Sequence, residues 1–174
     1  MRTTLFAYPA KLSRDRAGRY LVHFRDLPEA LTDGATEAEA LTEAADCLSE
    51  ALMSRIADRE EIPAPSTIKR GEHRVAPEPT VALKAALYKV AKESKVSAAE
   101  LARRLKVDHK EARRLLDPRH RSKLPRLTAA LQALGYNTAI VVHDASRRDR
   151  ILPTPTDAHP RPMRPGKAAR IEPG

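Results

Sequence analysis

Residues 98–117 read AAELARRLKVDHKEARRLLD, and their spacing decides how the C-terminal half is built. Ser97, followed three residues later by Glu100, forms a capping box: a hydroxyl and a carboxylate each satisfy an orphan N–H at a helix start. Leu101, Ala102 and Leu105 then recur at helical spacing. Lys106 and Val107 leave room only for a turn. Asp108, with Glu111 three residues on, opens a second helix with Ala112, Leu115 and Leu116 inward. Two short helices that cross steeply need a small side chain where they touch, and Ala102 supplies it. Leu105, Val107, Ala112 and Leu115 fill the angle between them. This is the pattern of a helix-turn-helix, whose second helix offers its polar face to a DNA major groove. The turn position often held by glycine carries Lys106, where a left-handed backbone costs roughly 1 kcal/mol.

The polar face of that second helix holds Asp108, His109, Lys110, Arg113 and Arg114. A guanidinium suits the paired acceptors of guanine, whereas Lys106 and Lys110 suit phosphates. Ser97 can offer a hydroxyl and a helix N-terminus to a phosphate. Arg119, His120, Arg121 and Lys123 form a basic loop placed to grip the backbone alongside. A helical domain with a merely solvated basic face would look similar, but the charge distribution argues against it. Residues 80–136 hold 14 basic and 5 acidic side chains, a net +9, while residues 1–66 hold 8 and 12, a net −4. An acidic front half joined to a basic one implies two modules with different partners.

Working outward, a helix with Leu83, Leu87, Val90 and Ala91 on one stripe precedes the pair, and a helix opened by Pro125 follows. In the latter, Leu127, Ala130, Leu131 and Leu134 face inward and Gly135 stands just past the end. A short strand is expected over Thr138–His143, and the proline- and charge-rich residues 144–174 are expected to be disordered. In the front half, Leu5–Leu12 reads as a strand and Asp15–Gly18 as a turn. Tyr20–Phe24 alternates as a second strand, and a third runs through Ala30–Thr32. Thr36 and Glu39 form another capping box ahead of a long helix with Leu41, Ala44, Ala45, Leu48, Leu52 and Ile56 on its buried stripe. Ile62–Ser66, with two prolines, ends it. The fold class is α+β, with an α/β module at residues 1–66, a linker at 67–79 (with a short strand near His73–Ala76) and an all-α module with a terminal strand at 80–143.

The front half resembles the HicB family of antitoxins, partners of HicA-type toxins that cleave messenger RNA. The matching residues are Gly18 to Phe24, then Asp26-Leu27-Pro28, then Gly34 to Ala40, and finally Ile62 to Ser66. Arg25 and Glu29 depart from the proline and glycine common there. The Leu115–His120 and Lys123–Leu124 run is similar to the subgroup with a C-terminal helix-turn-helix. The resemblance implies a partial ribonuclease-H-like front module and neutralisation of a HicA-like toxin by binding, with Tyr20, Phe24, Arg25, Asp26 and Glu29 as toxin contacts. It also implies autorepression through operator DNA, bound as a homodimer or higher oligomer. The alternative is a free-standing repressor whose front module senses a ligand.

An enzyme is not expected. Asp15, Asp26, Asp33 and Glu39 are the candidates for a Mg²⁺ nuclease site, but three stand in turns and Glu39 has a capping role. The histidines at 23, 73, 109, 120, 143 and 159 lack metal-ligand spacing, and no phosphate-binding glycine loop occurs. No cofactor or metal is expected. With a single cysteine, Cys47, no signal segment and no membrane span, the chain reads as cytoplasmic.

Overall fold

The computed structural model describes residues 6–139 and 141. The first element is a hairpin. Strand β1 (Tyr8–Arg14) pairs antiparallel with β2 (Tyr20–Phe24), Ala10 opposite Phe24 and Arg14 opposite Tyr20. The turn between them is held by Asp15, whose carboxylate accepts the backbone N–H groups of Ala17 and Arg19. Gly18 supplies the positive φ of +83° that the turn requires. Pro9, which has no N–H to donate, lies beyond the last residue of β1 that pairs with β2 and faces Arg74 on the other edge of the strand.

Strand β3 (Leu31–Gly34) joins the free edge of β2, and β4 (Glu72–Val75) joins the other edge of β1. The antiparallel sheet therefore has the order β3-β2-β1-β4. Three expectations shift. The first strand extends two residues past Leu12, and Leu5, its expected start, lies outside the described residues. The third begins and ends later than Ala30–Thr32. The short strand expected near His73–Ala76 of the linker is present one residue earlier, at Glu72–Val75, and pairs with β1 as an edge strand.

Helix α1 (Glu37–Ala57) covers one face of the sheet. Its start is capped by Thr36, whose hydroxyl accepts the Glu39 N–H at 3.1 Å. The Glu39 carboxylate reaches back to the N–H of Ala35 rather than of Thr36. Ala40, Ala44, Leu48, Leu52 and Ile56 are buried against Tyr8, Ala10, Val22 and Phe24. Leu41 and Ala45, expected on the stripe, sit at its margin. Ala40 and Ala51 take core places instead.

Helix α2 (Pro79–Glu93) belongs to two cores. Val81 and Ala85 complete the core under the sheet, while Leu87 and Val90 pack with Leu101, Ala112, Leu115, Leu127 and Leu131. That second core is closed by α3 (Ala98–Leu105), α4 (His109–Leu116) and α5 (Leu124–Ala133). Gly135 stands past α5 at φ +87°, and the N–H groups of Gly135 and Tyr136 bond back to Gln132 and Leu131. The strand expected at Thr138–His143 falls partly outside the described residues, and Thr138, Ala139 and Val141 are in no strand. Residues 144–174 lie outside the described residues entirely.

Candidate functional site

Helices α3 and α4 are both closed by local chemistry. The Ser97 hydroxyl accepts the Glu100 N–H at 3.2 Å, and the Asp108 carboxylate accepts the Glu111 N–H at 2.7 Å. Between them Lys106 takes φ 53° and ψ 44°, the left-handed conformation expected at that turn. The N–H of Val107 bonds back to Ala102, which tightens the end of α3.

The cations of the two helices differ in their partners. Arg103 and Arg104 on α3 both pair with Glu100, which holds that carboxyl below its ordinary range. On α4, Lys110, Arg113 and Arg114 are exposed and form no ion pair among the described residues. Lys106, Asp108 and His109 are exposed beside them, as is Ser97 at the far end of α3. A surface cation left unpaired by its own chain keeps its full attraction for an outside anion.

A groove of about 280 Å³ runs along one flank of α4, lined by Arg114, Arg121, Lys123 and Arg126 with Asp108 and Glu111. With His120, which also lines it, the groove gathers four of the basic residues singled out from the sequence. Arg126, on α5, had no such signal, because only the packing of α5 against α4 brings it there. Glu111 holds it at 3.2 Å. Arg119 is exposed, its N–H bonded to the Asp117 carboxylate, and His120 is half-buried with Nδ1 3.3 Å from the Ser122 hydroxyl. The loop start is anchored by a residue that sequence reasoning missed. Lys84 of α2 is 6% exposed and donates to the carbonyl of Asp117. Burial lowers its pKa from the usual lysine range.

Of the residues proposed for toxin contact, Phe24, Arg25, Asp26 and Glu29 lie at the corner between β2 and β3 and Tyr20 at the opposite end of β2, and most are engaged within the chain. Phe24 is a correction: it is 1% exposed and faces the core, because it lies on the sheet face that α1 covers. Tyr20 is half-buried under the guanidinium of Arg14, 4.5 Å from the ring centre. Arg25 bonds the Ser66 hydroxyl at 3.0 Å and pairs with Glu72 at 3.3 Å. Asp26 accepts both the N–H and the hydroxyl of Ser66, at 2.8 and 2.7 Å. Glu29 chelates Arg55, which holds its carboxyl below the ordinary range. Arg25 and Asp26 thus tie the return segment 66–72 to the sheet, and Glu29 ties the corner to the end of α1. The partner residues Ser66 and Arg55 carried no sequence signal, since each lies dozens of positions away.

The carboxylates weighed as metal ligands are each used locally. Asp15 holds a turn, Asp26 holds Ser66, Asp33 pairs with Arg19 and Glu39 caps α1. Among the described residues no cluster of three His, Cys, Asp or Glu side chains could hold a metal. Cys47 is half-buried with its sulfur 3.6 Å from the Leu31 carbonyl, and burial raises its pKa. Among the described residues no helix is long and apolar enough to cross a membrane.

Comparison with known proteins agrees with this architecture. A family model described as a HicB-like antitoxin of bacterial toxin-antitoxin systems matches residues 7–86, from the first strand into α2. Antitoxin HicB of Escherichia coli K12 is 36% identical over 135 residues, which is 78% of this chain and 98% of that protein. Antitoxin HicB 2 of Photorhabdus laumondii is 40% identical over 134 residues, 77% of this chain and 94% of that one. Antitoxin HicB of Pseudomonas fluorescens Pf0-1 is 33% identical over 144 residues, 82% and 98% respectively. The matches extend past the sheet and α1 through most of the helical half, and the chain belongs to the HicB-like antitoxin family of bacterial toxin-antitoxin systems.

Proposed function

We propose that this antitoxin neutralises a HicA-like messenger-RNA-cleaving toxin by binding it through the sheet-bearing half. In the same reading it represses its own operon by binding operator duplex DNA, as a dimer, through α3 and α4 acting as a helix-turn-helix. It works in the cytoplasm and is not an enzyme. One observation carries the DNA half of this reading. Among the described residues, Lys110, Arg113 and Arg114 on α4, whose start Asp108 caps, form no ion pair and stand next to the basic 119–123 loop, while Arg103 and Arg104 of α3 share the one carboxylate of Glu100. Side chains held on a rigid helix and left uncompensated suit a polyanion. The net −4 of residues 1–66 supports the other half, since a toxin that grips RNA presents a basic surface.

The test is direct. The purified chain is titrated with the DNA upstream of its own reading frame and with shuffled duplex, at several salt concentrations. Binding should weaken steeply with salt. Arg113→Ala should cost about 1–3 kcal/mol on the cognate duplex and less on the shuffled one if it reads a base. Separately, the chain should capture a HicA-like toxin and suppress its RNA cleavage. Absence of DNA binding, or of capture, removes the corresponding half of the proposal.

A further inference from the structure

A second groove, of about 510 Å³, lies where the ends of α1 and α2 meet the start of α3. Its lining combines Arg59, Lys92, Lys95, Ser97 and Tyr88 with the apolar Ile56, Ala91, Val96 and Leu116, and among the described residues no carboxylate lines it. The acidic side chains nearby are turned to other partners. Asp58 accepts the Ser54 hydroxyl, Glu60 lies 3.9 Å from Arg55, Glu93 pairs with Lys89, and Glu100 holds Arg103 and Arg104. Two carbonyls just past the end of α1, which would repel an anion, are also occupied. Lys92 Nζ donates to the carbonyls of Arg59 and Glu60 at 3.0 and 3.2 Å, and the Tyr88 hydroxyl donates to Glu60 at 2.7 Å. Arg59 and Lys95 remain, both exposed and both without a hydrogen bond or ion pair from their side chains among the described residues. Both stand just past α1 and α2 at positive φ, 59° and 53°, with their N–H groups bonded back to the carbonyls of Ile56 and Lys92.

The position of the groove relative to α4 identifies the anion. At about 100° per residue, His109, Arg113 and Leu116 fall on one flank of α4 and Glu111 and Arg114 on the other, with Lys110 between. The first basic groove takes Glu111 and Arg114, and the second takes Leu116. The two cationic grooves therefore flank α4 on opposite sides. A helix lying in a major groove has one phosphate strand on each side of it. Ser97 and Lys106 are separated by α3, about 12 Å, or three to four nucleotides of one strand at 3.4 Å each.

We propose that the second groove seats the phosphodiester backbone of one strand of the duplex, with Arg59 and Lys95 as phosphate contacts and Lys92, which holds the Arg59 carbonyl, as the residue that positions Arg59. Arg59 comes from the sheet-bearing half, so the DNA footprint is shared by both halves of the chain. The proposal rests on the DNA-binding reading above.

The test uses the full chain with Arg59→Gly and Lys95→Gly together. Glycine accepts the positive φ at both positions, so the pair removes charge without adding strain. Fluorescence anisotropy with upstream and shuffled duplexes should show the same proportional loss on both, on the order of tenfold at physiological salt, and a log–log salt slope shallower by about 1.8. Arg59→Lys should keep most of the affinity. An unchanged affinity and slope, with Arg113→Ala still weakening the cognate complex, overturns this proposal alone. Absence of DNA binding by the unaltered chain overturns the DNA-binding reading and this proposal with it. Loss of toxin capture with DNA binding intact would make the groove a seat for an acidic protein segment, and also overturns it.

Discussion

Gly34 shows how one missing atom positions a helix. A Cβ built there overlaps the backbone N and Cα of Ala40. The first turn of α1 can lie against β3 only because Gly34 has no side chain and Ala40, fully buried, has almost none. Gly34→Ala should therefore destabilise the chain by more than about 2 kcal/mol, since the overlap is with backbone that cannot swing aside. A lowered urea midpoint would register it, and a midpoint within error of the unaltered chain would refute the packing argument. Lys106 poses the opposite case. Its side chain is exposed and its φ is 53°, so strain is local and removable. Lys106→Gly should raise stability by up to about 1 kcal/mol, while loss of a phosphate contact lowers DNA affinity. Stability and binding then move in opposite directions in one variant, and parallel changes would argue that Lys106 is only structural.

Among the elements, the helix ends were the most legible part of the sequence. Thr36, Ser97 and Asp108 accept from the N–H three residues on, as their spacing implied. Capping is legible because donor and acceptor lie within four residues of one another. The reciprocal half of the box was not. Glu39 bonds Ala35 and Glu100 prefers arginines, because a long side chain chooses among several neighbours once the turn exists. The strands were legible by alternation, but their pairing with β4 and the bonds of Arg25, Asp26 and Glu29 were not. Those contacts join positions 26 to 42 residues apart or more, and no local spacing encodes them. The Glu29–Arg55 pair has a titration consequence. The folded carboxyl is held below its unfolded value, so the pair's contribution is complete above about pH 4.3 and fades as pH falls toward the lowered value. Because Glu29 is partly solvated, its share is well under about 1 kcal/mol. Glu29→Gln should flatten the acid limb of a stability–pH curve slightly and leave the neutral plateau lowered. An unchanged acid limb would show that the pair is screened out.

At the scale of the whole molecule, α2 is the decisive element. It sends Val81 and Ala85 into the core under the sheet and Leu87 and Val90 into the helical core, and Tyr88 and Lys92 bond the end of α1. One rigid helix shared by two cores couples their unfolding. The chain should lose the sheet and the helices α3 to α5 in a single transition, with hydrogen exchange of β1 and α5 reporting the same opening free energy. Two separated transitions would show that the halves are independent. The same coupling places a sheet-side arginine beside the start of α3, where the proposed DNA backbone runs.

The sequence by itself determined the types of the elements from β1 to α5, the caps at the starts of α1, α3 and α4, the left-handed turn at Lys106 and the charge asymmetry. All of these are encoded by composition or by residues a few positions apart. Only the tertiary structure decided that Phe24 is core, that β4 closes the sheet, that Lys84 anchors the basic loop and that α2 serves two cores. It also decided which cations of α4 remain unpaired: the Glu100 pairs lie three and four positions apart in one helix, but Glu111, three positions before Arg114, pairs instead with Arg126 of α5. Charge is a property of the sequence, but whether a charge is neutralised depends on distances that folding sets.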